Sequence, residues 1–230
     1  MRTRGTVLVG AIAVAILSAA CSSATPRTQP APTTGASTRP LDPDPTPPAL
    51  VWTACGPGLQ CSRLRVPVDY AHPDGAHLEL AVIRRPALDP ARRIGALVMN
   101  PGGPGASGVG IVRNGFGLGE GFADRLDIVS WDTRGTGASA PLACDSRSSA
   151  FLELPPDPIG PVAQAQLDAR ARAVAATCAA RAGPLLLHMD TDTTARDLEQ
   201  LRRALGGTKL TYAGFSYGTA IGLAYAARYP

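Results

Sequence analysis

The spacing of hydrophobic positions changes several times along this 230-residue chain, and each spacing predicts a different element. Residues 7–17 form one continuous apolar run behind Arg2 and Arg4. Residues 64–70 read as a strand interrupted by Pro67, which places it at a sheet edge because proline cannot donate to the ladder. Pro73-Asp74-Gly75 is a turn signal, and residues 77–84 alternate apolar and polar, so the two strands predict a hairpin. Residues 94–99 are a short continuous apolar run of the kind that fills the centre of a sheet buried on both faces, and residues 126–131 are another short, mainly apolar strand. Residues 162–182 are helix-prone, with Leu167, Ala171, Val174 and Cys178 on one face. Residues 190–205 predict a second helix, with Thr194 and Asp197 as a capping box and Leu198, Leu201 and Leu205 on a shared face. Gly206-Gly207 ends it. Residues 208–213 predict a strand and residues 219–229 a last helix. Strands alternating with helices define an α/β class: a mostly parallel sheet with helices on both faces.

The order of the polar interruptions adds chemistry. The strand at 208–213 delivers Gly214-Phe215-Ser216-Tyr217-Gly218, a G-x-S-x-G between strand and helix. A serine hydroxyl is a weak nucleophile that needs exposure on a sharp turn, a base and N–H donors for the oxyanion. Glycines beside Ser216 permit that turn and a close strand–helix approach. The bland alternative is a Gly-rich turn without chemistry. The strand at 94–99 runs into Asn100-Pro101-Gly102-Gly103-Pro104-Gly105-Ala106-Ser107-Gly108. Such a loop can present N–H groups to an oxyanion or a phosphate, or simply turn the chain. The phosphate reading lacks G-K-[ST] and the G-x-G-x-x-G spacing, and Pro104 removes a donor. The strand at 126–131 ends in Asp132-Thr133-Arg134-Gly135-Thr136-Gly137, where Asp132 and Arg134 are expected to pair structurally and fix the loop beside the site.

Composition narrows the class. A chain with 45% hydrophobic and 17% charged residues supports one globular domain with a tail. The net charge of +4 comes from scattered arginines with no basic run, so a nucleic-acid partner is not expected. Residues 1–20 read as an export signal: two arginines, an apolar stretch too short to span a bilayer, then Ser18-Ala19-Ala20-Cys21. This resembles a bacterial lipoprotein signal with acylation at Cys21, although Leu17 stands four rather than three positions before the cysteine. Residues 21–48 are a Pro/Thr/Ser-rich linker that cannot bury enough apolar surface to order itself. The domain proper spans 49–230. In an exported chain the remaining Cys55, Cys61, Cys144 and Cys178 predict disulfides. Three pairings are possible, of which Cys55–Cys61 with Cys144–Cys178 is preferred. The cysteines and three histidines lack metal-ligand spacing, so no metal and no cofactor are expected. His72 and His77 read as hairpin surface residues, and His188 lies in the approach to the second helix.

Together, Asn100 to Gly105, Trp131 to Gly137 and Gly214 to Gly218 resemble the α/β-hydrolase fold. More narrowly, from Trp52 to Pro230 the chain is similar to exported actinobacterial serine hydrolases of the tripeptidyl/prolyl aminopeptidase type. The resemblance implies Ser216 as nucleophile and the N–H groups of Tyr217 and Gly103 as oxyanion donors. Pro101 stands where prolyl aminopeptidases have histidine, and Thr133 replaces the glutamine of their Asp-Gln-Arg-Gly segment. The fold orders its triad as Ser, Asp or Glu, then His. No Asp, Glu or His follows Ser216 here, so the chain is expected to be the N-terminal half of the fold, C-terminally incomplete and inactive by itself. The implied reaction is acyl transfer from a peptide or ester substrate, with the membrane as partner through the lipid anchor. An esterase on the same fold and a non-catalytic truncated binding lipoprotein are the alternatives.

Overall fold

A computed structural model describes residues 44–115, 121–142, 144, 155, 157–207 and 209–230. The expected signal, Cys21 and the linker up to residue 43 lie outside the described residues. Six strands form one sheet: β1 (Thr53–Gly56), β2 (Leu59–Pro67), β3 (His77–Arg85), β4 (Gly95–Asn100), β5 (Leu126–Trp131) and β6 (Tyr212–Gly214). Their spatial order is β1-β2-β3-β5-β4-β6. The β1, β2 and β3 side is antiparallel and joins β5 through pairs such as Val82↔Trp131. The β5-β4-β6 side is parallel, with Val98↔Val129 and Met99↔Ala213 in register.

Both faces of the central strands are covered, which explains their mainly apolar character. Leu97, Met99, Ile83 and Ile128 point to one face, where Val112 of α1 (Gly108–Arg113) packs among them. Val98, Val129, Trp131, Leu64, Leu80 and Val82 point to the other. There they meet Leu198 and Leu201 of α4 (Thr191–Ala204) and Ile221 of α5 (Tyr217–Arg228). Each such buried side chain contributes about 1.5–3 kcal/mol. Two further helices are α2 (Phe122–Arg125) and α3 (Pro161–Ala182). α3 has no buried residue, and Ala171 is exposed while Leu167, Val174 and Cys178 are half-buried. The Cys144–Cys178 disulfide ties α3 to the segment after β5, and Cys55–Cys61 joins β1 to β2. The preferred pairing is the one present.

Several local expectations change. Pro67 ends β2 instead of interrupting it, opposite His77, and β1 pairs only with residues 59–61, so the proline lies on an open stretch of edge. The last strand is shorter than residues 208–213 and begins at Tyr212, although the Thr211 carbonyl already accepts the Val98 N–H at 2.9 Å. The capping box is absent. Asp190 caps α4 instead, accepting the Thr193 N–H at 2.8 Å and the Thr193 hydroxyl at 2.7 Å. Asp197 cannot serve as a cap because its carboxylate is engaged elsewhere.

That engagement also corrects the expected Asp132–Arg134 pair. Arg134 turns away from Asp132 and forks onto Asp197, with Nε to Oδ2 at 2.8 Å and Nη2 to Oδ1 at 2.7 Å. The side chains are 1% and 0% exposed. The remaining Arg134 donors reach the carbonyls of Pro67, Val68 and His188, and the Tyr70 hydroxyl donates to Asp197 Oδ1 at 2.8 Å. Burial holds the Asp197 carboxyl above the ordinary carboxylate range, and Arg134 with Tyr70 opposes that shift only in part. Burial likewise works against charge on Arg134, yet Asp197 holds its pKa above the ordinary guanidinium value. Asp44, at the edge of the described chain, accepts from Arg196 and Tyr229, and Arg203 donates to the Asp44 and Pro45 carbonyls.

Removing one partner of a buried, hydrogen-bonded pair leaves an uncompensated charge. Arg134→Met is therefore expected to cost about 3–5 kcal/mol in urea unfolding. Arg92→Met, whose Asp89 partner is 37% exposed, should stay within about 1 kcal/mol. Equal losses for the two variants would contradict this assignment.

Candidate active site

Ser216 sits between β6 and α5 with φ 50° and ψ −123°, a strained conformation for a residue carrying a side chain. The strain turns the chain from strand to helix within one residue and leaves Ser216 exposed. The flanking glycines are required by contact. A Cβ on Gly214 would lie 2.4 Å from the Gly218 carbonyl oxygen, and one on Gly218 would lie 2.6 Å from the Asn100 carbonyl oxygen. The Tyr212 hydroxyl donates to the Gly218 carbonyl at 2.8 Å, bracing the elbow from the strand side. Thr219 N–H and its hydroxyl both donate to the Ser216 carbonyl, at 2.9 and 2.6 Å. From the other side, the Tyr217 hydroxyl and Thr191 Oγ1 share a 2.7 Å hydrogen bond that ties the start of α5 to the start of α4.

The Gly-rich loop after β4 presses onto this elbow. A Cβ on Gly102 would lie 2.3 Å from the Phe215 carbonyl oxygen and 2.9 Å from both Ser216 Cβ and Tyr217 N. Gly102 and Gly103 have φ of +93° and +105°, and the Gly103–Pro104 peptide is cis. The structure thus brings Ser216 and Tyr217 against Gly102, the residue before the expected donor Gly103. Asn100, which the sequence reading did not single out, joins them. Its carbonyl accepts the Phe215 N–H at 3.0 Å, and its Oδ1 accepts the Gly102 N–H at 2.9 Å. A polar residue closing an apolar strand just before Pro-Gly-Gly was the available signal, because Asx side chains bond the backbone two residues on. With the Gly102 N–H engaged, the next N–H along the loop is that of Gly103. Tyr217 N opens α5, where the first N–H groups of a helix favour negative charge.

The other candidates lie elsewhere. Exposed His72 bonds Asp69 at 2.7 Å, which lowers the Asp69 carboxyl. His77 bonds the Gly75 carbonyl at 2.8 Å. His188 contributes its carbonyl to Arg134. Asp132 is buried and accepts from Ser107, Val109 and Ala138, so it supports the loops.

A strand-delivered serine on a strained turn, backed by a Gly-rich loop from the neighbouring parallel strand, defines the architecture of an α/β hydrolase. The chain belongs to that family: the α/β-hydrolase fold model matches residues 95–230. Within it, the chain resembles actinobacterial aminopeptidases. It is 40% identical over 191 residues to a tripeptidyl aminopeptidase of Streptomyces lividans, covering 79% of this chain and 35% of the relative. It is 38% identical over 193 residues to the serine protease Hip1 of Mycobacterium tuberculosis H37Rv, covering 78% and 37%. A carboxylesterase B of the same strain is 37% identical over 154 residues, covering 63% and 29%. The chain spans about a third of the length of the curated relatives it matches.

Because Gly102 touches both Ser216 and the first helical N–H, Gly102→Ala must push the loop off the elbow. The expected result is at least a ~10²-fold slower reaction of Ser216 with a fluorophosphonate, comparable to loss of an oxyanion donor. Val162→Ala, at an exposed position of α3, is the control and should leave that rate unchanged.

Proposed function

We propose that the chain carries the nucleophile and oxyanion hole of an exported serine peptidase that releases short peptides from the N-terminus of its substrates. The observation that carries the reading is the elbow: Ser216 at φ 50°, exposed, with Gly102 packed against it. Ser216 attacks the scissile carbonyl. The N–H groups of Gly103 and Tyr217 receive the developing oxyanion, the leaving amine departs, and water hydrolyses the acyl-enzyme. The proton acceptor and its acid follow the serine in the chain order of this fold. They are proposed to lie in the part of the longer relatives that this span does not match. Without them Ser216 would retain only ~10³–10⁴-fold acceleration over water. Export and attachment through an acylated Cys21 complete the proposal, and they rest on the signal-like residues 1–20.

The resemblance to a carboxylesterase keeps a second reading in view, an esterase on the same site. A substrate panel separates the two. The protein purified from its native membrane fraction should cleave tripeptidyl chromogenic amides with a free amine. Blocking that amine should reduce kcat/KM by ~10²-fold or more, because a site built to hydrogen-bond the ammonium is left with unpaired groups. Ser216→Ala should abolish turnover, and Cys21→Ala should move it to the soluble fraction. Preference for short acyl esters with indifference to the amine would favour the esterase. Turnover that survives Ser216→Ala would remove both.

A further inference from the structure

The loop over Ser216 is held at two ends, and only its entry, at Asn100, belongs to the site described above. Its exit is Ala106-Ser107, where the chain enters α1. There Ser107 caps the helix by accepting the Gly110 N–H at 2.8 Å. The same Ser107 hydroxyl donates to Asp132 Oδ1 at 2.6 Å, and the Val109 N–H donates to that oxygen at 3.0 Å. Asp132 Oδ2 accepts the Ala138 N–H at 2.8 Å. The carboxylate thus takes three donors, two from the exit of the Gly-rich loop and one from the loop after β5.

Asp132 is itself held rigidly. Its N–H donates to the Ala81 carbonyl of β3 at 3.0 Å, and its carbonyl accepts the Ser139 hydroxyl at 2.7 Å. The residue is 2% exposed. Gly137 makes room for the carboxylate, since a Cβ there would lie 2.1 Å from Oδ2. Gly108 lets α1 seat against the end of β5, since its Cβ would lie 2.1 Å from the Trp131 carbonyl oxygen. Arg134, two residues on, is committed to Asp197. A buried acid placed against the exit of the loop, the first turn of α1 and the loop after β5 can fix the angle at which the Gly-rich loop leaves the site.

We propose that Asp132 is the positioning residue of the oxyanion loop. Acting through Ser107 and Val109, it keeps the Gly103 N–H aimed at the space beside Ser216. The inference rests on the hydrolase reading of the site. The charge matters because only a carboxylate accepts three donors at once on two oxygens. An asparagine in its place would set its NH₂ against Ala138 N–H or against the Ser107 and Val109 donors.

The test uses the full-length native enzyme, with active sites counted by fluorophosphonate so that rates refer to folded, labelled molecules. Asp132→Asn should lower kcat by about 10–100-fold with KM within about 2-fold, the signature of a displaced transition-state donor. Ser107→Ala should lower kcat in the same sense by a smaller factor, and Ser107→Thr should restore it. The double variant should be no slower than Asp132→Asn alone, because both changes act on one linkage. If Asp132→Asn does not fold, the Ser107→Ala loss and its rescue by Ser107→Thr decide the matter alone. Unchanged kcat per labelled site in the variants would overturn the proposal while leaving the site intact. Wild-type enzyme that is not labelled at Ser216 would overturn the hydrolase reading and this inference with it.

Discussion

Three backbone segments meet at Ser216 closer than any side chain would permit, and the rest of the site depends on that approach. The end of β4 contacts the start of α5 through Gly218, the strand and helix of the elbow meet at Gly214, and the loop after β4 touches Ser216 through Gly102. Each contact would put an added Cβ within 2.3–2.6 Å of a carbonyl oxygen. Such approach is a property of backbone alone, so these glycines hold the geometry of the elbow as directly as any polar residue. Asn100 then converts proximity into register: one residue holds the elbow with its carbonyl and the loop with its side chain.

Around that centre the fold uses buried charge as scaffolding. Arg134 draws together the end of β2, the approach to α4 and α4 itself through Asp197 and three carbonyls. Asp197 also receives Tyr70. The ring of Tyr70 carries the Arg196 guanidinium at 4.3 Å, and Arg196 in turn holds Asp44. A chain of polar contacts thus runs from the first described residue to the helix that packs beside α5. These groups are satisfied on every side, the condition under which buried charge is compatible with a stable core.

Much of this was legible in the sequence where one physical rule dominates locally. Short, mainly apolar runs identified β4 and β5 because both their faces are buried, and the limits of β5 matched to the residue. The elbow was legible because glycine spacing around a serine has few other uses. Partnerships across the chain were not. Asp132 and Arg134 are two residues apart and opposite in charge, which made them read as a pair. Their true partners are 25 and 63 residues away and depend on how the loops fold over the sheet. The same distance effect disguised Asp197, whose position in a helix fits a cap while its burial assigns it to Arg134. Asn100 was overlooked because its role arises only when β4 and α5 lie side by side.

The central claim is that Ser216 is an activated nucleophile on a prebuilt elbow. The most direct measurement is mass spectrometry of the native protein from its membrane fraction after fluorophosphonate treatment, as intact mass and as a peptide map. The account predicts a single adduct on Ser216, carried by a species heavier than 23.6 kDa. A native species of that mass or less that takes up no label, or label placed on another residue, would contradict it.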